Sequence, residues 1–232
     1  MAVRSGDRRY SILAVMSMNG TAAYRLHAGP LPQLVERALV SAQRYGFDYS
    51  CRPEQGRLLQ VLAGGARQRI AETGTGCGVG LAWLASGAAP EVELFSVERD
   101  PAWAKAAADV FSDVPQVRVA CADWTQIYAH GPYDLLVLDG GGQAKGGSAA
   151  DPERLLVPGG VLVVDDFTPS RAWPPAHAGH PDGARLHWLN HPALRTVDLP
   201  LARDLSVIVA VRCTDSAGSS AGLIRTTGRA SH

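Results

Sequence analysis

One stretch constrains this chain more than any other: Ala71-Glu72-Thr73-Gly74-Thr75-Gly76-Cys77-Gly78-Val79-Gly80. Ile70–Thr73 reads as a short strand, and residues 79–88 read as a helix. Glycines between a strand and a helix let the backbone take positive φ and approach a ligand closely, because no Cβ intervenes. The pattern excludes two common ligand loops. The dinucleotide fingerprint needs glycine at its sixth position; here that position is Val79 counted from Gly74, or Leu81 counted from Gly76. A phosphate loop ends in Gly-Lys-Ser or Gly-Lys-Thr, which does not follow.

The strand–helix alternation continues down the chain. Val92–Val97, Val117–Ala120, Leu135–Leu138 and Val161–Val164 are short apolar runs, as in parallel strands covered on both faces. A helix is expected over 101–112, with Pro101 in its first turn and Asp100 as N-cap, and a short one over 152–156. Val197–Leu199 and Ser206–Val211 are expected to close the sheet as antiparallel neighbours. Alternating strands and helices imply right-handed crossovers. The expected fold class is therefore α/β, a doubly wound, mostly parallel sheet of seven strands.

Before the first strand, Leu34, Val35, Ala38, Leu39 and Ala42 recur at helical spacing after Pro30 and Pro32. A second helix starts at Pro53 and ends at the Gly64–Gly65 pair. These are read as cap helices over 30–66 on a core of 67–213, a single domain over 30–213. An N-terminal segment covers 1–29. The tail over 214–232, poor in large apolar residues, is expected to be disordered. Residues 167–193 hold many Pro, His and Trp residues and read as a loop followed by a short helix near Arg185–Asn190.

Composition narrows the class of partner. The chain has 232 residues, enough for one large α/β domain, with 22 basic and 22 acidic residues and zero formal net charge. Without a basic excess to neutralise phosphates, a nucleic-acid partner is disfavoured. Cys51, Cys77, Cys121 and Cys213 are scattered, which excludes zinc-ribbon spacing and a redox pair. No apolar run approaches the roughly 20 residues of a membrane span. Arg4, Arg8 and Arg9 precede the apolar run Ile12–Met16 as in a signal peptide, but Ser17 and Asn19 cut it short. A cytoplasmic protein is expected, with no membrane partner.

Glu72-Thr73-Gly74-Thr75-Gly76-Cys77-Gly78 resembles the first motif of the class I S-adenosylmethionine (SAM)-dependent methyltransferases, an acid, any residue, then Gly-x-Gly-x-Gly. The resemblance implies a Rossmann-like fold and SAM as cofactor. Gly74, Thr75, Gly76 and Gly78 would pack against the amino-acid part of SAM, with Glu72 near its ammonium, directly or through water. Gly76→Val is expected to block the cofactor while leaving the fold largely intact. Glu98, at the end of the second strand, matches the family's ribose-binding acid. A carboxylate there can accept two hydrogen bonds from a diol; taken alone, it also reads as a solvated loop residue. Asp123 resembles the position that contacts the adenine amino group, and Trp124 would stack on the adenine. The alternative for this pair is a helix cap and a core aromatic.

In open α/β sheets the ligand crevice lies at the carboxyl ends of the strands. Here the fourth strand ends at Asp139 and the fifth at Asp165-Asp166. The trio resembles the catechol and caffeoyl-coenzyme A O-methyltransferase family, in which an Asp after the fourth strand and an Asp-Asn or Asp-Asp pair after the fifth hold a divalent metal. This resemblance spans about Leu31–Arg212. It implies Mg2+ or another hard cation that lowers the pKa of an acceptor hydroxyl. Asp139 is thus a candidate metal ligand, cofactor contact and catalytic residue. The family's lysine three residues after the first Asp is replaced by Gly142, so Lys145 becomes the catalytic candidate. The alternative for Asp165 and Asp166 is that they cap loops and bind neighbouring amides.

His177, His180, His187 and His191 are too loosely spaced for a zinc site, though a histidine suits a general base. No Asn-Pro-Pro-Tyr or Asp-Pro-Pro-Tyr sequence follows the fourth strand, which disfavours methylation of nucleic-acid bases. The expected reaction moves a methyl group from SAM to an oxygen of a small-molecule acceptor, and a homodimer is compatible with it. The rivals are a tRNA or protein methyltransferase, a SAM-fold enzyme transferring another group such as an aminopropyl, and a non-catalytic SAM-binding protein.

Overall fold

The computed structural model describes residues 19–27, 29–139, 141, 144 and 149–214. Gly142, Lys145 and nearly all of the expected disordered tail lie outside the described residues, as does most of the N-terminal segment. Five strands run in parallel: β1 (Arg69–Thr73), β2 (Glu93–Glu98), β3 (Val117–Cys121), β4 (Tyr133–Leu138) and β5 (Leu156–Phe167). β6 (Ala176–His177) and β7 (His180–Pro181) form a separate small hairpin, and β8 (Leu194–Ala202) and β9 (Leu205–Arg212) complete the main sheet. Its order is β3-β2-β1-β4-β5-β9-β8, with β9 antiparallel to both of its neighbours. The seven-stranded, mostly parallel sheet is the one expected.

Alternation along each strand divides the core between the two faces. Ile70, Leu94, Leu135, Val137, Val163 and Val207 join one buried cluster. Ala71, Phe95, Leu136, Leu138, Leu162, Val164 and Ile208 join the other. The first face is covered by α2 (Gln33–Arg44), α3 (Pro53–Ala63), α4 (Val79–Gly87) and α5 (Pro101–Val110), which follow a short α1 (Gly20–Ala23). The second is covered by a 3-10 turn at Trp124–Ala129, α6 (Pro152–Leu155) and α7 (Gly183–Leu189).

α4 has no polar face: Val79 to Ala85 are all buried. Such a helix needs cover on its outer side as well. α2 supplies it with Val35, Ala38, Leu39 and Ala42, and α3 with Leu59 and Ala63. Gly56 permits the close approach, since a Cβ there would lie 2.1 Å from Trp83 Nε1. Trp83 Nε1 donates to Tyr24 Oη at 2.8 Å, and Tyr24 Oη donates to the Cys51 carbonyl at 2.9 Å.

Two elements differ from expectation. The loop expected from 167 contains the β6–β7 hairpin, and β5 begins at Leu156 rather than after the Pro158-Gly159-Gly160 turn. Its register against β4 shifts between Tyr133 and Leu135, which accommodates the extra residues.

Candidate functional site

The carboxyl ends of β1, β2, β4 and β5 gather the candidate residues. Gly74, Gly76 and Gly78 have φ of 81°, 51° and 89°, the left-handed region that favours glycine. The Gly74 and Thr75 amides both donate to the Val97 carbonyl, at 2.9 and 3.3 Å, so the loop is tied to the end of β2. A Cβ on Gly74 would meet the Asp139 carbonyl oxygen at 2.8 Å, and one on Gly76 would meet Phe47 Cζ at 2.4 Å. Phe47 lies between α2 and α3 and packs edge-on against Trp103 at 4.9 Å. Gly76→Val therefore disturbs Phe47 and the backbone as well as any ligand, contrary to the expectation of a largely intact fold.

Glu72 is 2% exposed, and Ser96 Oγ donates to its Oε2 at 2.9 Å. Burial pushes its carboxyl pKa up to about 8; the Ser96 hydrogen bond opposes the shift, while Glu98 and Asp165 add to it. Glu98 takes the Gly76 amide on Oε2 at 2.9 Å and the Asp100 amide on Oε1 at 2.8 Å. It is thus fixed at the loop rather than solvated. Asp100 caps α5 through the Ala102 and Trp103 amides, as expected.

Asp123 is exposed and accepts from the Thr125 amide at 3.0 Å and Thr125 Oγ1 at 2.7 Å. These bonds hold its carboxyl below the usual range. It caps the 3-10 turn that carries Trp124, whose ring lies 5.9 Å from that of Tyr128. The capping alternative thus describes Asp123 in this geometry.

Asp139, Asp165 and Asp166 each present an oxygen within 4.8 Å of the others, and they are the one such potential metal cluster among the described residues. Asp165 and Asp166 are buried. Three carboxylates this close favour a counter-charge, and an all-oxygen donor set fits a hard divalent cation. Asp165 also meets part of the capping alternative, because its Oδ1 accepts the Asp166 amide at 2.5 Å. Its Oδ2 accepts from Gln55 Nε2 at 2.5 Å. Gln55 was not a sequence candidate, and the signal available was only its place in the first turn of α3.

Arg185 is a buried structural side chain behind the site that nothing in the sequence singles out. Buried at 1% exposure, it donates to Asp182 Oδ2 at 3.2 Å, Asp198 Oδ2 at 2.7 Å and the Thr168 carbonyl. It thereby pins α7 and β8 to the segment that leaves Asp165-Asp166. His177 and His180 are exposed on the hairpin. The rings of His187 and His191 lie 5.7 Å apart, and burial, aided by His191, holds His187 below its ordinary pKa.

Residues 71–167 match the family described as methyltransferase domain. The chain is 32% identical over 120 residues to the catechol O-methyltransferase of Mycobacterium tuberculosis, which covers 49% of this chain and 54% of that protein. The chain spans about half the length of the curated relatives it matches. Among solved structures, cofactor-bound Rv0187 from MTB superposes with a TM-score of 0.66 at 23% identity, covering 82% of this chain and 94% of the other. An O-methyltransferase from Bacillus cereus in complex with SAH gives 0.64 at 20% identity, covering 87% and 99%. The chain has the class I methyltransferase fold.

Proposed function

We propose that this protein is a SAM-dependent methyltransferase acting on an oxygen of a small molecule, with a divalent cation held by Asp139, Asp165 and Asp166. The observation that carries the reading is the convergence of the glycine loop, Glu72, Glu98 and the aspartate trio at the carboxyl ends of adjacent strands. The catechol O-methyltransferase named among the relatives favours a hydroxyl acceptor over a nitrogen one. The balanced charge favours a small acceptor over a nucleic acid.

In this reading Gly74, Thr75, Gly76 and Gly78 seat the methionine part of SAM, and Glu72 faces its ammonium. Glu98 takes the ribose diol. Asp123 offers its carboxylate to the adenine amino group, with Trp124 against the ring. A bound divalent cation supplies positive charge that lowers the acceptor hydroxyl's pKa and orients it. The chain's main contribution is alignment: it holds the acceptor oxygen in line with the methyl–sulfur bond. The oxygen lone pair bonds to the methyl carbon, the carbon–sulfur pair returns to sulfur, and S-adenosylhomocysteine (SAH) leaves. Lys145 is the candidate for taking the hydroxyl proton; His177 or His180 is the candidate if the aspartates hold the acceptor without a cation.

Turnover with methyl-labelled SAM and a panel of vicinal-dihydroxy and monohydroxy aromatic acceptors tests this reading. The expected result is label on a hydroxyl acceptor, lost on chelation and restored by Mg2+. SAM binding with no transfer to any acceptor would instead favour a non-catalytic SAM-binding protein.

A further inference from the structure

α3 sends one side chain to the aspartate trio. Gln55 is 1% exposed and donates from Nε2 to Asp165 Oδ2 at 2.5 Å. Its Oε1 is buried without a hydrogen-bond partner among the described residues. An amide with half its capacity unmet is a poor choice for stability at so buried a position. An apolar side chain of similar volume would leave no amide oxygen unsatisfied, and would take from Asp165 only the one donor that Gln55 supplies. The residue is better explained by what it does to Asp165.

The position of α3 is closely determined. Pro53 occupies its first turn. Gly56, one residue after Gln55, brings the helix against Trp83 with no space for a Cβ. Trp83 is itself held by Tyr24. Gln55 therefore reaches Asp165 from a fixed base. On the opposite side, Asp165 Oδ1 accepts the Asp166 amide. These two donors, one on each oxygen, help to set the plane of this carboxylate.

We propose that Gln55 is a positioning residue for the divalent cation, holding Asp165 in the orientation that cation binding needs. The inference rests on the cation reading given under Proposed function. Outer partners of metal ligands act in this way, and their loss commonly lowers metal affinity by roughly 10- to 100-fold.

The test is calorimetric titration of Mn2+ into the cofactor-free full chain, for the wild type, Gln55→Leu and Gln55→Met. SAH titration and metal-free thermal unfolding of the same proteins accompany it. Met supplies a flexible second shape in case Leu does not fold. The expected result is Mn2+ affinity at least about tenfold weaker in the variants, with SAH affinity unchanged and metal-free Tm lowered by no more than the loss of one hydrogen bond to Asp165 accounts for. Wild-type Mn2+ affinity in both variants would overturn the inference while leaving the cation reading in place. Parallel loss of Mn2+ affinity, SAH affinity and Tm would assign Gln55 to helix packing and overturn it too. A wild type that binds no Mn2+ would overturn the cation reading itself, and the inference with it.

Discussion

Glu98 Oε2 accepts the backbone N–H of Gly76 at 2.9 Å, so the acid at the end of β2 and the loop after β1 are held as one unit. The same carboxylate is the one proposed for the ribose diol. Glu98→Ala removes its hydrogen bonds to cofactor, each worth roughly 1.5–3 kcal/mol when charged. It also frees the loop amide. SAH affinity should fall at least about tenfold by calorimetry, and amide exchange at Gly76 should quicken. Unchanged affinity would show that the ribose lies elsewhere.

Glu72 makes stability depend on pH. Its folded pKa, about 8, lies above the ordinary value of 4.5. Burial thus favours the protonated form, and this contribution is fully present below the ordinary pKa and lost as pH rises through the folded one. Cofactor-free wild type should lose Tm between about pH 5 and 8, and Glu72→Gln, which cannot ionise, should lose less. The gap between the two melting curves should widen over that window and level off above it. Parallel curves would contradict the burial argument. Cofactor affinity should rise over the same window, because the ionised carboxylate is the better partner for an ammonium.

Asp166 has φ of 63°, a conformation that asparagine and aspartate tolerate better than most residues. Asp166→Ala should cost roughly 1 kcal/mol of metal-free stability, whereas Asp166→Asn should cost little. Mg2+ should raise the wild-type Tm by mass action, and raise it less in either variant. Thermal unfolding with and without Mg2+ checks both claims. An equal Mg2+ effect in all three proteins would remove Asp166 from the ligand set.

The Arg185 network predicts a purely structural defect. Its guanidinium is buried between Asp182, Asp198 and the Thr168 carbonyl, over the face of Phe167 at 4.9 Å. Arg185→Met should destabilise the protein by roughly 1–3 kcal/mol, because it removes a buried guanidinium from two half-buried carboxylates. Arg185→Lys should recover little, since an ammonium lacks the planar fork that reaches all three partners. Denaturant unfolding measures both; a loss below about 1 kcal/mol in Arg185→Met would contradict the account.

The parts of this molecule legible in the sequence are those with local causes. Leu135–Leu138 is nearly pure aliphatic, and it is a central strand because both of its faces are covered. Asp139, Asp165 and Asp166 could be placed together because strand ends in a parallel sheet converge, whatever the loops do. The β6–β7 hairpin was not legible: its strands have two residues each, too few for alternation, and its turn rests on Ala178 and Gly179 at positive φ. The short α1 and the 3-10 turn carry little periodicity. Gln55 was hidden for another reason, since its partner lies 110 residues away. Arg185 looked like one arginine among many until α7 folded it inward.

The most direct test of the central claim is a calorimetric titration of the wild-type protein with SAH in the presence of Mg2+, repeated with SAM. The account predicts a single site per chain for each, weakened at least about tenfold in Glu98→Ala. No heat with either ligand, under conditions where the protein is shown to be folded, would contradict it.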